Sequence, residues 1–259
     1  MTNHPFHLVD ASPWPMTGSC GAFFLVSGLA GWFHRFDRYL RIIGLVLILM
    51  TMVQWWRDVC REATFQGKHT YKVEGGLRIG MLLFITSEVC FFFAFFWAFF
   101  HSSLRPGIEG GTVWPPVGLL AIDPFEVPLL NTTVLLSRGA TITWAHMSVM
   151  SSKWLEAHIR FAMTIGLGLL FSALQAMEYA FCSFAMSDSV YGSTFFVATG
   201  FHGLHVVIGT LFVRVIWGRH LIAHFSGEHH FGFEASAWYW HFVDVVWLFL
   251  FVCVYWWGV

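Results

Sequence analysis

The sequence predicts an all-α, polytopic membrane protein with seven transmembrane helices. Of its 259 residues, 57% are hydrophobic and only 11% are charged, whereas a soluble domain carries about 25% charged residues. Apolar runs recur along the chain at lengths close to the roughly 20 residues that a helix needs to cross a bilayer. They lack the two-residue alternation of strands, so we expect helices rather than a β-barrel to satisfy the backbone in lipid.

The seven spans are predicted to form a single transmembrane domain over residues 1–259. In chain order they cover about residues 16–34, 42–56, 79–100, 132–150, 159–181, 193–217 and 236–257. Tryptophans typical of a membrane interface end three of these runs, at Trp55–Trp56, Trp217 and Trp256–Trp257. Arg138 and Gly139 interrupt the fourth run and make it the weakest. The fifth and sixth contain small residues that permit close helix contact, namely Gly166, Gly168, Gly200, Gly203 and Gly209.

The loops predict an orientation. The loop after the third span is Pro-rich and nearly acidic, whereas the loop after the second is basic, with Arg57, Arg61, Lys68, Lys72 and Arg78. Since basic loops stay on the cytoplasm-equivalent side, the N-terminus is expected inside and the C-terminus outside. The arginines that follow the first span, Arg35, Arg38 and Arg41, argue against this orientation.

The N-terminal stretch, the cysteines and the net charge argue against several targeting signals, covalent or metal frameworks and partners. The N-terminal stretch resembles neither a secretory signal nor an Arg-rich presequence, so an organellar protein with this sequence is expected to be made inside its organelle. The five cysteines are scattered without a ligand spacing, and we therefore expect neither a disulfide framework nor a thiolate metal site. A net charge of −1 gives no reason to expect nucleic acid as a partner.

One carboxylate lies near the bilayer midplane. At ~1.5 Å of rise per residue, Glu88 lies ~13 Å along the helix from the start of the third span. A charge at that depth costs at least ~2.5 kcal/mol, so such a residue marks a functional site by default. Its neighbours on the helix are aromatic, namely Phe84, Phe91, Phe92 and Phe95. Because desolvation disfavours the charged form, we expect a buried, largely protonated acid.

Histidines within the spans suggest an alternative, a haem-binding membrane redox protein. His202 and His205 lie in the sixth span, His146 in the fourth and His241 in the seventh. Imidazoles on several helices are what a bis-His haem or a copper site requires. Since His202 and His205 share one helix face, each needs a partner from another helix. The competing interpretation is structural, with the imidazoles hydrogen-bonded between helices.

The other intramembrane charges favour pairing. Asp244 can pair with His241, three residues before it on the same helix face, or bridge to another helix. Arg138 lies deep enough to require a carboxylate or a lipid phosphate. Glu178, near the end of the fifth span, is expected to reach the interface. These carboxylates also suggest a proton-coupled transporter, but the sequence shows no internal repeat and no relay partner for Glu88 on its own helix.

A group of aromatic, charged and hydroxyl side chains follows the second span at the depth of lipid headgroups. It includes Trp56, Glu62, Thr64 and His69, and basic residues from the loop before the last span can converge with it. Such clusters suit anionic lipid headgroups. The alternative is a solvated loop.

Six strings resemble cytochrome c oxidase subunit III, in order and in register over essentially the whole chain. They are WPMTGSCGAFFLVSGLAGWFH, QWWRDVCREATFQGKHT, FITSEVCFFFAFFWAFFHSSL, EVPLLNTTVLLSRGATITWAH, VYGSTFFVATGFHGLHVVIG and HHFGFEASAWYWHFVDVVWLFLFVCVYWWG. The likeness is closest to the mitochondrial, organelle-encoded form. It implies the mitochondrial inner membrane, with the N-terminus on the matrix side and the C-terminus facing the intermembrane space.

The resemblance implies a fold and a function. Helices 1–2 and 3–7 are expected to form two bundles, split by a V-shaped cleft that holds phospholipids. The chain is expected to carry no catalytic residue, haem or copper, since the redox metals lie in partner subunits. It would pack on the catalytic subunit I, which passes electrons from cytochrome c to oxygen and pumps protons, and would stabilise it and aid proton or oxygen delivery.

The resemblance also implies roles for single residues. Glu88 matches the family's buried carboxylate in the SEV motif. The family motifs that contain His202, His205, His241 and Asp244 do not bind a metal. The positions that contact lipid in the family correspond to Trp56, Glu62, Thr64, His69, Arg219 and His224.

Two positions in the fourth span depart from the family pattern. Met147 follows His146 where a second histidine is usual, and Arg138 replaces what is typically a small residue. Side-chain pairing around this helix is therefore expected to differ from the family's.

Overall fold

The computed structural model describes residues 4–36, 39–108, 111–227 and 229–259. These residues form seven α-helices and one π-helical segment, and they contain no strand. The all-α prediction is confirmed. The helices are α1 (Trp14–Phe33), α2 (Tyr39–Thr64), α3 (Tyr71–Leu104), α4 (Val127–Met150), α5 (Trp154–Phe181), α6 (Val190–Leu221) and α7 (Phe231–Leu250), which continues into the π-helical segment Phe251–Trp256.

Within the described residues, six of the helices are long and apolar enough to cross a membrane, so the chain is a multi-pass membrane protein. The exception is α4, the span that the sequence makes weakest. Its 24 residues suffice in length, but it carries buried polar side chains that lower its hydropathy, including Asn131, Thr132, Arg138, Thr141 and Ser148. Helix α4 packs against α5 and α7, and neighbouring helices rather than lipid surround these groups.

Most helices extend beyond the apolar runs. Helix α2 continues through Arg57, Asp58 and Arg61 to Thr64, and α3 starts at Tyr71, eight residues before the predicted span. At ~1.5 Å per residue, the 34 residues of α3 reach about 50 Å, beyond a hydrocarbon core of ~30 Å. Hydropathy finds only the part of a helix that lies in hydrocarbon, whereas backbone hydrogen bonds continue through the headgroup region.

The chain divides into two compact units, residues 1–77 and 78–259, and the boundary falls in the first two turns of α3. In the first unit α1 packs on α2. A Cβ on Gly28 would overlap the backbone of Arg41, and a Cβ on Gly44 would overlap the backbone of Leu25. Only glycine therefore permits this approach of the two backbones.

The second unit has an aromatic core. Its largest fully buried side chains include Trp240 and Trp247 of α7. The ring of Trp247 lies 4.8 Å from that of Phe171 on α5 and 5.1 Å from that of His202 on α6, centroid to centroid. Helix α7 thereby lies at the centre of the unit, and it carries the polar residues His241 and Asp244.

Candidate functional site

Glu88 of α3 contacts a histidine of α6. Its Oε2 lies 2.9 Å from Nε2 of His205, and Nδ1 of His205 lies 2.7 Å from the carbonyl oxygen of Phe201. Since a carbonyl only accepts, Nδ1 carries a proton and donates it to Phe201. The contact between Nε2 and Oε2 then holds one shared proton, either as a neutral acid beside a neutral imidazole or as a carboxylate beside an imidazolium.

The surroundings of this pair are aromatic, in accord with the sequence. The ring of His205 lies 5.0 Å from that of Phe92 and 6.3 Å from that of Tyr239. The Glu88 side chain keeps 22% of its surface exposed, so the aromatic rings enclose it only partly. The sequence of α3 alone offers no partner for Glu88, because the partner lies on α6. The one sequence signal for this pairing is that both residues lie near the middle of their spans.

Arg138 and Asp244 form a buried ion pair between α4 and α7. Nη2 of Arg138 donates to Oδ1 of Asp244 at 2.8 Å, and Cζ of Arg138 lies 3.9 Å from the centroid of a Trp240 ring. Nδ1 of His241 lies 3.9 Å from Oδ2 of Asp244, too far for a hydrogen bond. Of the two arrangements that the sequence leaves open for Asp244, the structure shows the bridge to another helix.

The intramembrane histidines occupy different surroundings. Nε2 of His202 lies 3.1 Å from the carbonyl oxygen of Val243, and Nε2 of His241 lies 3.3 Å from the hydroxyl of Thr143. Among the described residues, two groups of three or more His, Cys, Asp or Glu bring their ligand atoms within 4.8 Å of one another, and neither contains His202, His205 or His241. His146 belongs to one of them.

The structure corrects the expectation for Glu178. Only 7% of this residue is exposed, so it does not reach the interface. The hydroxyl of Tyr255 donates to Oε1 of Glu178 at 2.6 Å, and Nε2 of Gln175 donates to the same oxygen at 3.0 Å. Gln175 lies three residues before Glu178 and was the signal available in the sequence, because residues three apart share a helix face.

In the first unit, part of the expected headgroup cluster comes together. Oε2 of Glu62 lies 3.7 Å from Nε2 of His7, and the ring centroids of His7 and His69 are 5.7 Å apart. Trp56 has 63% of its surface exposed, and Thr64 ends α2. The contact of His7 with this cluster is not predicted from the sequence, since nothing in the pattern indicates that the N-terminal segment folds back onto this loop.

A salt bridge helps to hold the N-terminal segment there. Nζ of Lys68 donates to Oδ2 of Asp10 at 2.7 Å. This hydrogen bond and the lysine charge hold the pKa of Asp10 below its usual value. Because the bridge is exposed, its contribution to stability is small, and its effect is to fix the position of the segment.

Arg219 and His224 lie in the second unit, at and just beyond the end of α6. The backbone N–H of His224 donates to the carbonyl of Arg219 at 3.0 Å, and Cζ of Arg219 lies 4.5 Å from the Phe225 ring centroid. Burial and the charge of Arg219 lower the pKa of His224. Arg219 therefore supplies the positive charge at this position, and His224 a neutral imidazole at neutral pH. This pair belongs to the second unit, whereas the cluster around Glu62 belongs to the first.

Comparison with known proteins identifies a family. A family model described as cytochrome c oxidase subunit III matches residues 4–259. The chain is 62% identical over 255 residues to cytochrome c oxidase subunit 3 of Pisaster ochraceus, covering 98% of each chain. It is 61% identical over 255 residues to that of Danio rerio, again 98% of each chain. To that of Anopheles quadrimaculatus it is 60% identical over 256 residues, which is 99% of this chain and 98% of the relative.

Proposed function

This chain belongs to the cytochrome c oxidase subunit III family, and we propose that it is a core subunit of cytochrome c oxidase without a redox cofactor of its own. The observation that carries the proposal is the family match over residues 4–259. The assembly is an oxidoreductase that moves electrons from cytochrome c to oxygen and pumps protons. In it this chain packs on the catalytic subunit I, which holds haem and copper, and supports it through stabilisation, lipid binding and aid to proton or oxygen delivery.

The hydrogen bonds of His202 and His205 support a chain without haem. Both ring nitrogens of His205 have partners, Phe201 and Glu88. His202 is 1% exposed, with Nε2 against the carbonyl of Val243. Coordination of a haem iron through any of these three nitrogens would break an existing hydrogen bond within the helix bundle. This favours the structural interpretation over a haem-binding redox protein.

The ion pairs argue against the proton-coupled transporter. A transporter needs ionisable groups that change partners along a route through the membrane. Here Asp244 is held by a guanidinium, which does not release its proton, and the pair lies against the face of Trp240. Such a group is fixed in place rather than exchanging protons.

We assign phospholipid binding to two sets of residues, one in each unit. In the first, Trp56, Glu62, Thr64 and His69 combine an exposed interfacial indole with polar groups. In the second, Arg219 provides the charge for a phosphate, and His224 provides a neutral hydrogen-bonding imidazole. Anionic headgroups attract basic residues at the membrane surface by about 1 kcal/mol each.

We place the chain in the mitochondrial inner membrane, with its N-terminus on the matrix side and its C-terminus facing the intermembrane space. The relatives from Pisaster ochraceus, Danio rerio and Anopheles quadrimaculatus carry the same subunit name, and the basic loop after α2 supports this orientation. A cysteine introduced into the α2–α3 loop should react with impermeant maleimide only after the inner membrane is opened. Reaction from the intermembrane space would contradict the orientation.

Co-purification and an optical spectrum test the proposed function. The full chain, tagged at its C-terminus and extracted from membranes with mild detergent, should bring down haem-containing oxidase subunits. After dissociation from them, the chain itself should show no Soret band. A Soret band retained by the dissociated chain would reject the proposal that it carries no haem, and a chain that purifies without any oxidase subunit would reject the assembly.

A further inference from the structure

We propose that His146, His230 and Glu234 form a zinc-binding site in the second unit, where the end of α4 meets the start of α7. His146 lies four residues before the end of α4, His230 directly precedes α7, and Glu234 lies in its first turn. One ligand atom from each residue lies within 4.8 Å of the other two. Nε2 of His230 and Oε1 of Glu234 are 3.7 Å apart.

Both imidazoles present a nitrogen without a partner. Nε2 of His146 and Nε2 of His230 are buried, and neither has a hydrogen-bond partner in the part of the chain that the structure describes. His230 as a whole is 7% exposed. A buried polar atom without a partner is costly, and two such nitrogens next to one carboxylate are accounted for by an ion that binds all three.

The protonation of His230 suits a metal ligand. Its Nδ1 lies 3.1 Å from the carbonyl oxygen of Ser226, and it therefore donates its proton there and leaves the lone pair on Nε2. The turn that carries this carbonyl is itself fixed, since the backbone N–H of His229 donates to Oγ of Ser226 at 3.0 Å. A ligating histidine in a metal site is typically held by such a hydrogen bond from its other nitrogen to a carbonyl.

The carboxylate is oriented as well. Nε of Arg78 donates to Oε2 of Glu234 at 3.0 Å, which leaves Oε1 beside His230. Hydrogen-bonded carboxylates are usual around bound metals. The charge of Arg78 offsets the charge of Glu234 and weakens the site for any cation, so affinity has to come from the two imidazoles as well as from the carboxylate.

This ligand set suits zinc. Mg²⁺ and Ca²⁺ bind oxygen ligands, whereas two imidazoles and one carboxylate suit Zn²⁺, with water in the fourth tetrahedral position. At Zn–ligand distances of about 2.1 Å, tetrahedral ligand atoms are roughly 3.4 Å apart. The side chains therefore close by about 1.5 Å at most from the distances in the structure. The bound ion then ties the end of α4 to the start of α7.

Zinc titration of the full chain tests the site. The chain is purified in detergent, stripped with a chelator and titrated with Zn²⁺ against a chromophoric chelator. We expect one Zn²⁺ per chain. Loss of a ligand in His230→Gln or Glu234→Gln should weaken binding at least about tenfold, the lower limit for loss of an outer-shell partner. The matched control is His229→Gln, which removes an exposed imidazole from the neighbouring position and should leave the affinity unchanged.

A second readout separates a built site from adventitious binding. Zn²⁺ should raise the unfolding midpoint of the wild type, because a ligand that binds only the folded state stabilises it, and should not raise that of His230→Gln. If the circular dichroism of His230→Gln shows that it has lost its helices, the same two measurements are made on His146→Gln, which removes another ligand. The proposal is overturned if the wild type binds no stoichiometric zinc. It is equally overturned if His229→Gln weakens binding as much as His230→Gln does.

Discussion

Replacement of Asp244 by asparagine should destabilise the protein by about 3 kcal/mol, because it removes the counter-charge of a buried guanidinium. Loss of one partner of a buried ion pair costs about 3–5 kcal/mol. Arg138 is fully buried, and its Nε and Nη1 have no hydrogen-bond partner among the described residues. Asparagine keeps an oxygen that accepts from Nη2, and the expected loss therefore lies at the lower end of that range.

The reverse change should cost less. If Arg138 becomes methionine, the isolated carboxyl of Asp244 can take up a proton, whereas an isolated guanidinium cannot give one up. The double variant Arg138→Met with Asp244→Asn should therefore be more stable than Asp244→Asn alone. Replacement of buried ion pairs by less polar groups is often close to neutral.

Unfolding of the purified full chain by SDS in mixed micelles, followed by circular dichroism, measures these differences. Asp123→Asn makes the same chemical change in an exposed loop and serves as the control, with an expected effect within about 0.5 kcal/mol. If Asp244→Asn loses no more stability than the control, Arg138 does not need this counter-charge. If the double variant loses the sum of the two single losses, the two residues are not coupled; either result contradicts the ion pair proposed to hold α4 to α7.

Three further results are expected. Glu88→Gln should leave proton pumping largely intact in lipid vesicles that contain the oxidase, since a glutamine N–H can still donate to Nε2 of His205. Abolished pumping would instead place Glu88 on a proton route. A hydrophobic carbodiimide should label Glu88 and a water-soluble one should not, because the carboxyl lies at the depth of the lipid; equal labelling by both would contradict that depth. Gly209→Ala should destabilise the chain by about 1–3 kcal/mol, because its Cβ would overlap the ring of Trp240, whereas Gly203→Ala on the same helix meets open space and should unfold at the wild-type SDS concentration.

The sequence predicts the helices because hydropathy reports directly on which segments lie in lipid. It does not predict where they end, as α2 and α3 show. Helix ends depend on backbone hydrogen bonds in the headgroup region, where polar residues such as Arg57 and Arg61 are accommodated as easily in a helix as in a loop. The glycine pattern is similarly incomplete: Gly209 permits close contact with Trp240, but Gly203 and Gly166 face open space.

The sequence also identifies polar residues that require a partner but not the partner itself. Glu88 and His205 are 117 residues apart, and Arg138 and Asp244 are 106 apart. Their pairing depends on which helices are neighbours and on how each helix is rotated, and neither is encoded in the hydropathy of one segment. Glu178 shows the same limit, since the hydroxyl that satisfies it comes from Tyr255 in the π-helical segment.

These pairings bear on the choice between an accessory subunit and a transporter. In a bilayer, an ionisable residue is tolerated when a neighbour satisfies it, and it transports when that neighbour can be exchanged. Asp244 binds a guanidinium that cannot release its proton, and Glu178 accepts from two side chains in a buried position. Glu88 contacts the imidazole of His205, whose nitrogens can both donate and accept a proton, through one hydrogen bond. The effect of Glu88→Gln on pumping decides whether this pair takes part in proton movement through the oxidase.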